Sequence, residues 1–374
     1  DEEHEPTYKQ EEAPRYHARD VAVMRGKLEG CAVVLGSATP SLESWRNAQS
    51  GKYTLARMPH RVDHRAMPTM RIVDMRGETG PGGRPSVFSK ELLTAIGDRL
   101  ARAEQSILFL NRRGFASSLV CPKCGHVVKC GQCSIAMTYH KRANRLLCHL
   151  CGAAEAPPDR CPGPNCGDPA IRMAGVGTER IEEILGRLFP KARVARMDSD
   201  SMSRKEDYRR VLGDFRTGRI DILVGTQMIA KGLHFPNVTL VGVVHADLTL
   251  HMPDFRSGER TYQLLTQVAG RAGRGEISGE VIVQTCTPFH PAIQAARRMD
   301  FDSFCDQELA FRKELSYPPY AHFVCAHLKG PSEGDVAAAA RDLAVLLRQR
   351  VGGLATVADP AAAPIARIRG QFRF

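Results

Sequence analysis

Eight of the chain's twelve cysteines lie between positions 121 and 166, and no other feature limits the fold so strongly. Six of them form three Cys-x-x-Cys pairs, and four residues separate the members of the last pair. A Cys-x-x-Cys turn supplies two thiolates to a tetrahedral Zn²⁺ and directs backbone amides at the sulfurs. The sequence therefore predicts two zinc sites, whose ligands are Cys121, Cys124, Cys130, Cys133, Cys148, Cys151, Cys161 and Cys166.

Disulfide bonding and redox sensing are the alternatives for so many thiols. The acidic start of the chain does not look like a secretory signal peptide, and disulfides are rare in proteins that are not secreted. Complete sulfur coordination leaves no open position for water, so we expect structural rather than catalytic zinc. Four half-sites can combine into two sites in three ways, and spacing alone does not choose among them.

Strand and helix patterns alternate on both sides of the cysteine block. Before it, a helical pattern from residue 88 leads into an apolar strand at 107–110. After it, the strands are predicted at 172–174, 193–197, 221–226, 238–244 and 280–284, and the helices from 178, near 203 and over 258–270. This alternation is typical of βαβ units with a parallel sheet. The block is therefore predicted to be an insertion into an α/β lobe.

Weaker patterns lie outside this lobe. Residues 32–36 form an apolar run typical of a buried strand, and the glycines and prolines of 76–87 indicate a flexible loop. Beyond residue 300, a polar helix, a strand at 321–329, an Ala/Leu-rich helix at 335–350 and a last strand indicate a small α+β domain. Because the first motif lacks a preceding strand and the chain stops in an extended run, we expect a fragment cut at both ends.

The charge of the chain favours a polyanionic partner. Its 52 Lys and Arg exceed its 41 Asp and Glu, which gives a formal net charge of +11. Nucleic acid is the partner class that such an excess favours. The hydrophobic fraction of 43 % excludes disorder as the main state, and the apolar runs are too short to span a membrane. We expect a cytoplasmic protein.

The strongest catalytic signal is the octet 267–274 at the end of a predicted helix. Arg271 and Arg274 are three residues apart, so both guanidinium groups can reach one polyphosphate. Gly270 and Gly273, which have no side chains, allow the backbone that carries these arginines to lie close to it. The acidic tetrad at 1–4 fits the same chemistry, since in nucleotide hydrolases such an Asp holds Mg²⁺ while the adjacent Glu deprotonates water. Solvated surface residues are the alternative reading of each motif.

With these motifs the chain resembles the PriA family of replication-restart DNA helicases, which belongs to superfamily 2. The resemblance extends over nearly all 374 residues. Helicase motifs alone indicate only the superfamily, and the cysteine block inside the second lobe narrows it to this family. The similar segments are DEEH (1–4), YKQEEAPRYHARD (8–20), LGSATPSLES (35–44), FLNRRG (109–114), the cysteine block, GTQMIAKGLHFPNVTLVG (225–242), PDFRSGERTYQLLTQVAGRAGR (253–274) and ELSYPPY (314–320).

The resemblance implies an α/β fold with part of one RecA-like helicase lobe and a second RecA-like lobe built on a parallel sheet. A two-zinc Cys-rich module is inserted into the second lobe, and a small, truncated α+β domain follows it. The implied boundaries are 1–50 for the first lobe, 51–87 for a linker, 88–120 with 170–299 for the second lobe, 121–169 for the zinc module and 300–374 for the C-terminal domain.

Site residues are carried over from the same resemblance. Asp1 is expected to be the Mg²⁺-site acid and Glu2 the catalytic base. Arg274 is expected to be the arginine finger, and Arg271 either a γ-phosphate contact or a link to the acidic tetrad. His4, Gln267 and Gly270 are expected to bind the nucleotide. Ser37 and Thr39 are expected to couple the state of the bound ATP to the affinity for DNA. The residues expected to contact DNA are Tyr8, Lys9, Arg15, Tyr16, His17, Arg19, Thr226 and Lys231.

The resemblance also implies how the zinc ligands pair. Cys121, Cys124, Cys161 and Cys166 would hold one ion, and the other four cysteines the second ion. The longer spacing of the last pair makes its assignment the weakest. The segment 121–166 contains six basic residues and two acidic ones, which favours a module that contacts DNA. A zinc module with a solvated surface fits this charge balance equally well.

The implied function is an ATP-dependent 3′→5′ DNA helicase that acts at stalled forks and promotes primosome assembly. It would use two Zn²⁺ and ATP with Mg²⁺, and its partners would be forked and single-stranded DNA, primosome proteins, single-stranded DNA-binding protein and the replicative helicase loader. The sequence contains no Gly-x-x-x-x-Gly-Lys-[Ser/Thr] loop, so we expect this chain alone not to hydrolyse ATP. The alternatives are a non-catalytic zinc-containing DNA-binding or assembly protein, and another superfamily 2 translocase with fewer than two zinc ions.

Overall fold

The computed structural model describes most of the chain. The residues outside the description are 11, 59–66, 81–85, 111–117, 122, 125, 141–143, 170–171, 175–176, 199–201, 203–204, 227–228, 230–234, 253 and 274–276.

The strands are β1 (Lys9–Gln10), β2 (Tyr16–His17), β3 (Thr69–Asp74), β4 (Gln105–Phe109), β5 (Ser118–Val120), β6 (Thr138–His140), β7 (Arg145–Leu147), β8 (Ala154–Glu155), β9 (Arg172–Ala174), β10 (Val194–Met197), β11 (Ile222–Gly225), β12 (Val238–Val243), β13 (Glu280–Thr285), β14 (Lys329–Gly330), β15 (Arg367–Ile368) and β16 (Gln371–Arg373). The helices are α1 (Ala18–Glu29), α2 (Leu42–Gln49), α3 (Lys90–Ala101), α4 (Thr178–Leu188), α5 (Lys205–Arg216), α6 (Asp247–Leu250), α7 (Ser257–Ala269), α8 (Pro291–Arg298), α9 (Phe301–Glu314) and α10 (Glu333–Val351).

The chain divides into two compact units, of which the first comprises 1–111 and 182–323. Its centre is a six-stranded sheet in the order β10–β11–β4–β12–β13–β3, and every neighbouring pair is parallel. The strands β4, β11 and β12 are buried along their whole length, as expected of parallel strands covered on both faces. The parallel α/β lobe predicted from the alternating patterns is confirmed.

The sheet contains a strand that the sequence patterns did not reveal. The range 51–87, predicted to be a linker, includes β3, which pairs with β13 from Thr69↔Glu280 to Asp74↔Thr285. Only Met70 and Val73 of β3 are fully buried, as is usual for an edge strand. Its half-polar sequence therefore gave a much weaker signal than the apolar central strands.

Residues 32–36 do not form the buried strand that their apolar run predicts. No strand is assigned to them, and within the described part of the chain no strand pairs with them. The side chain of Val34 is 88 % exposed. An apolar run produces a buried strand only where other strands pair with it and elements cover its faces.

The helix α9 packs into the first unit, although the sequence boundary at residue 300 assigned it to the C-terminal domain. Phe304, Cys305 and Leu309 are buried in the same hydrophobic cluster as Trp45 of α2 and Tyr262 of α7. The rings of Tyr262 and Phe304 stack with centroids 4.4 Å apart. The apolar stripe of α9 is therefore buried on one face, which the polar composition of the helix obscures.

The second unit comprises 112–181 and 324–374. Its first part contains a three-stranded antiparallel sheet, β6–β7–β8, and the antiparallel pair β5–β9. The prediction that 172–174 continues the parallel sheet is therefore wrong. The strand exists, but it pairs with β5 at the entrance of the cysteine block.

The C-terminal part of the second unit contains α10 and the antiparallel sheet β14–β16–β15. Ser332 caps α10 by accepting the amide of Asp335. The strand predicted at 321–329 is wrong in extent, because only Lys329 falls in β14 and Val324 is 96 % exposed. Among the described helices, none is both long and apolar enough to cross a membrane.

Candidate functional site

The eight cysteines gather into two clusters of four. One cluster contains Cys121, Cys124, Cys161 and Cys166, the other contains Cys130, Cys133, Cys148 and Cys151, and the sulfur atoms of each lie within 4.8 Å of one another. Three Sγ–Sγ distances are 3.8 Å (Cys121–Cys166), 3.5 Å (Cys124–Cys161) and 3.6 Å (Cys130–Cys151). A tetrahedral zinc ion with bonds of about 2.3 Å holds its sulfurs about 3.8 Å apart, whereas a disulfide holds them about 2.05 Å apart.

Local turns bring the ligands together in the second of these clusters. Leu146 of β7 and Met137 beside β6 are fully buried and anchor the β6–β7 hairpin that leads into Cys148. Gly152 adopts a φ of 81° and donates to the Cys148 carbonyl at 2.8 Å, which folds the turn that carries Cys151. The geometry therefore fits a structural zinc site at each cluster, and the interleaved pairing implied by the sequence resemblance is confirmed.

The widely spaced last pair also closes. Asn165 adopts a φ of 56°, and the Cys166 amide donates to the Gly163 carbonyl at 3.2 Å. The Gly163 amide in turn donates to the Cys161 sulfur at 3.3 Å. The additional residues form this turn, so four intervening residues still place both sulfurs in one cluster.

Backbone amides favour the thiolate form of one ligand in each cluster, whereas burial raises the pKa of Cys148 and of Cys161 to about 12. The amide of Cys124 lowers the pKa of Cys121 to about 7. The amide of Ala153 does the same for Cys151, whose pKa is also about 7. Each cluster therefore has one thiol that can lose its proton near neutral pH. The resulting thiolate is the form that binds Zn²⁺.

In the first unit, Glu3 joins the acidic tetrad to the segment 36–44. Its carboxylate accepts hydrogen bonds from the Ser41 amide at 2.6 Å and from Arg19 at 3.1 Å. Burial alone would lower the pKa of Arg19, but its contact with Glu3 raises it. Glu3 belongs to the tetrad, but the sequence assigned it no role, and Arg19 was expected to contact DNA rather than to pair with Glu3.

The predicted coupling residues lie in this same arrangement. Nδ1 of His4 lies 2.7 Å from Oγ of Ser37, and that oxygen accepts the Thr39 amide at 3.0 Å. Asp1 is exposed, and its Oδ1 accepts the Glu2 amide at 3.0 Å. The structure thus brings His4, Ser37 and Thr39 together, while their functional roles stay predictions.

One face of α7 contacts the segment 39–43. The side chain of Gln263 donates to the Thr39 carbonyl at 3.4 Å, and Glu259 accepts the Leu42 amide at 3.0 Å. Arg256, immediately before the helix, pairs with Glu43 at 2.6 Å. Burial alone would raise the pKa of Glu43, but the nearby Arg256 outweighs this effect and holds the pKa below its ordinary value.

The carboxyl-terminal end of α7 carries the predicted nucleotide residues. The helix ends at Ala269, and Gly270 and Arg271 follow directly. The Nε2 atom of Gln267 is buried, and among the described residues it has no hydrogen-bond partner. The guanidinium-bearing side chain of Arg271 is also buried. Arg274 and Lys231 lie outside the described residues.

The predicted DNA contacts surround a small hairpin. Strands β1 and β2 pair antiparallel with Lys9 opposite His17, and Tyr16 is 49 % exposed. Tyr8 is partly exposed and donates to the Asp1 carbonyl at 2.8 Å, which links the hairpin to the acidic tetrad. Burial and the neighbouring Arg19 lower the pKa of His17. Arg15 is exposed before β2, and Thr226 follows β11 in the sheet, away from this hairpin in sequence.

Three family models match the chain. The model described as "Helicase conserved C-terminal domain" matches residues 174–276. The "PriA DNA helicase Cys-rich region (CRR) domain" matches 130–155, and the "Primosomal protein N C-terminal domain" matches 313–374.

Curated relatives agree with these matches. The chain is 50 % identical over 374 residues to the replication restart protein PriA of Bacillus subtilis, covering all of this chain and 46 % of that protein. It is 44 % identical over 383 aligned residues to the PriA of Synechocystis, again covering all of this chain and 46 % of the relative. The chain spans about half the length of these relatives.

Solved structures add a distant likeness. RecG bound to a three-way DNA junction is 17 % identical, with a TM-score of 0.41 over 83 % of this chain and 30 % of that one. A TM-score this low supports no functional conclusion. The cysteine clusters, the three matching family models and the sequence relatives together show that the chain belongs to the PriA family of replication restart proteins.

Proposed function

We propose that this chain carries the nucleotide-responsive and zinc-binding parts of an ATP-dependent DNA helicase that acts in replication restart. The observation that carries the proposal is the contact of α7 with the segment 39–43. Gln267 lies in the last turn of the same helix and Arg271 follows its end, so one element connects the predicted phosphate contacts to the predicted coupling residues. A rotation of α7 on nucleotide binding would therefore be transmitted to Thr39.

The acidic tetrad is proposed to serve hydrolysis. Asp1 is exposed and its carboxylate chemistry suits Mg²⁺, which would polarise the phosphates when ATP is bound. Glu2 would accept the proton of the attacking water. Glu3, held by four hydrogen bonds from Ser41, Ser44 and Arg19, would keep the tetrad in position.

The far end of α7 is proposed to contact the phosphates. The buried amide of Gln267 has donors to offer, and a guanidinium group suits phosphate oxygens. Arg271 would contact the γ-phosphate, and Arg274 would act as the arginine finger that stabilises charge in the transition state. Gly270 allows the backbone to approach the nucleotide closely.

DNA contacts are proposed for the β1–β2 hairpin. The exposed rings of Tyr8 and Tyr16 can stack on unpaired bases, while Lys9 and Arg15 neutralise phosphates. The hydrogen bond from Tyr8 to the Asp1 carbonyl provides a direct route from DNA to the acidic tetrad. The zinc module is proposed to present a further basic surface to DNA or to partner proteins.

The finer features of the proposal rest on family likeness. These are 3′→5′ polarity, action at stalled forks, and assembly with primosome proteins, single-stranded DNA-binding protein and a helicase loader. The chain contains no phosphate-loop motif, so we propose that ATP hydrolysis requires the full-length protein. The second candidate is a non-catalytic DNA-binding or assembly protein, which is favoured by the two four-cysteine clusters, since complete sulfur coordination is typical of structural zinc.

The test compares ATP hydrolysis and unwinding of forked DNA by the full-length protein and three variants. Arg274→Ala should lower DNA-stimulated hydrolysis by about 10³-fold or more while DNA binding persists, and Arg271→Ala should lower it as well. Arg298→Ala, on an exposed face of α8, is the matched control and should behave like the wild type. Near-normal turnover in Arg274→Ala would refute the finger assignment. A wild type that binds forks without hydrolysing ATP would favour the second candidate.

A further inference from the structure

The hairpin β15–β16 lies against the turn that carries Cys130 and Cys133. Two backbone–backbone hydrogen bonds and one bond from a backbone amide to a sulfur join them within the second unit. The Ser134 amide donates to the Arg367 carbonyl at 3.0 Å, and the Gly370 amide donates to the Gln132 carbonyl at 2.8 Å. The Arg369 amide donates to the Cys133 sulfur at 3.3 Å. The tip of the hairpin thus contacts both the backbone of the cysteine turn and one zinc ligand.

The hairpin turn has the conformation needed for these contacts. Arg369 has a φ of 49° and Gly370 a φ of 76°, so both central residues of a two-residue loop are left-handed. This is the pattern of a type I′ turn, which matches the twist of the two strands. Arginine is an unusual residue at positive φ, where glycine is preferred. In this conformation the Arg369 amide donates to the Cys133 sulfur.

The two zinc clusters differ in the source of their amide donors. Cys161 accepts an amide from Gly163 and Cys130 accepts one from Gln132, so each of these donors lies two residues from its cysteine. The donor to Cys133 lies 236 residues away in the sequence. Among the described residues, therefore, the C-terminal part of the chain donates an amide to a sulfur of the Cys130 cluster and to no sulfur of the Cys121 cluster.

We propose that the Arg369–Gly370 turn completes the outer shell of the Cys130 cluster, so that zinc retention at this site depends on docking of the C-terminal hairpin. An amide that donates to a zinc thiolate reduces charge on sulfur and fixes its orientation, and loss of such a contact typically weakens metal binding by about 10–100-fold. In the part of the chain that the structure describes, no amide of the hairpin donates to a sulfur of the Cys121 cluster, so zinc retention there should not depend on the hairpin. The inference rests on both clusters holding zinc, and the metal content of the wild type tests that premise separately.

The decisive pair of variants is Arg369→Pro and Arg369→Gly in the full chain. Proline removes the amide and cannot adopt positive φ, whereas glycine keeps the amide and suits the turn. Gly370→Ala, which keeps both amides but disfavours the turn, gives a milder perturbation. Gly352→Val is the matched control, because Gly352 also has positive φ, lies in the C-terminal part of the chain, and ends α10 away from the cysteines in sequence.

Zinc release to a chelator is followed with a metallochromic dye, and iodoacetamide labelling of Cys133 and Cys161 is followed by mass spectrometry. Arg369→Pro should release one of two ions about 10–100-fold faster, with labelling of Cys133 but not Cys161. Gly370→Ala should show the same selectivity with a smaller acceleration, and Arg369→Gly and Gly352→Val should match the wild type. Release of both ions together in Arg369→Pro and Gly370→Ala, unchanged release in both, or equal acceleration in Gly352→Val would overturn the proposal. A wild type without two zinc ions would remove its premise.

Discussion

The guanidinium group of Arg312 donates to the carboxylate of Glu259 at 2.8 Å, and both side chains are buried. The second oxygen of Glu259 accepts the amide of Leu42, the first residue of α2. One carboxylate therefore joins α2, α7 and α9, and it adds a negative charge at the positive end of the α2 dipole. This contact holds the segment 39–43 against α7, the helix whose carboxyl-terminal end carries the residues predicted to bind phosphate.

Breaking the pair should be costly. Arg312→Leu leaves the Glu259 carboxylate buried without its cation, so we expect a loss of about 3–5 kcal/mol in the free energy of unfolding, measured in urea. The double replacement of Glu259 and Arg312 by Leu should cost less than the two single changes added together. Arg25→Leu, which removes an exposed pair with Glu29, should cost only about 0.3–0.5 kcal/mol. An additive double mutant would show that the two charges do not depend on each other.

A second buried carboxylate should make the first unit sensitive to acid. Asp247 accepts the Thr285 hydroxyl at 2.7 Å and the amides of Cys286 and Thr287 at 2.9 and 3.1 Å. Burial alone would raise the pKa of Asp247, but the neighbouring His245, whose Nδ1 lies 3.6 Å away, and hydrogen bonds from Thr287 and Thr285 hold it well below its usual range. Because the native pKa is depressed, this stabilisation is complete above the unfolded value of about 3.9 and is lost as pH falls below it.

Asp247→Asn should therefore lower the free energy of unfolding by about 1–3 kcal/mol at pH 7, with a smaller difference from the wild type at pH 3. Chemical unfolding at the two pH values measures both quantities. Asp342→Asn, on the exposed surface of α10, serves as the control and should leave stability unchanged at pH 7. A difference that grows on acidification would contradict the assignment.

Removing one zinc ligand should release one ion. Cys130→Ser should lower the zinc content from about two ions per chain to about one, because each cluster supplies its own four sulfurs. In the full-length protein it should impair DNA unwinding more than ATP hydrolysis. Elemental analysis measures the metal, and Cys286→Ser, outside both clusters and exposed, should retain both ions. Equal loss of unwinding and hydrolysis would indicate general misfolding instead.

The sequence predicted the elements whose residues are strongly patterned. The apolar runs at β4, β11 and β12 are buried on both faces of the sheet, so their composition alone revealed them. The cysteine spacing predicted two zinc sites for a similar reason, since ligand chemistry is restricted to few residue types. The pairing of the clusters required the family resemblance, because three combinations satisfy the same spacing.

Sequence patterns missed features that depend on tertiary contacts. The edge strand β3 is half polar, and the strand β9 pairs with β5 rather than with the parallel sheet. Glu259 and Arg312 lie on buried helix faces, but a charged residue in a sequence usually indicates a position exposed to solvent. The one available clue was position, because Arg312 follows Leu309 by three residues on the apolar stripe of α9.

The backbone beside the predicted arginines should tolerate no side chain at residue 273. Gly273 has a φ of 65°, and a Cβ placed there would lie 2.5 Å from the backbone nitrogen of Gly279. Gly218 has a similar φ of 73°, but a Cβ there would meet no atom within 4 Å. Gly218→Ala should therefore cost about 1 kcal/mol from conformational strain alone, while Gly273→Ala should cost about 3 kcal/mol or more because backbone must move. Urea unfolding of both variants measures the difference, and equal costs would show that the 273–279 contact is not tight. In the full-length protein, Gly273→Ala should also reduce ATP hydrolysis, since the displaced backbone adjoins Arg271 and Arg274.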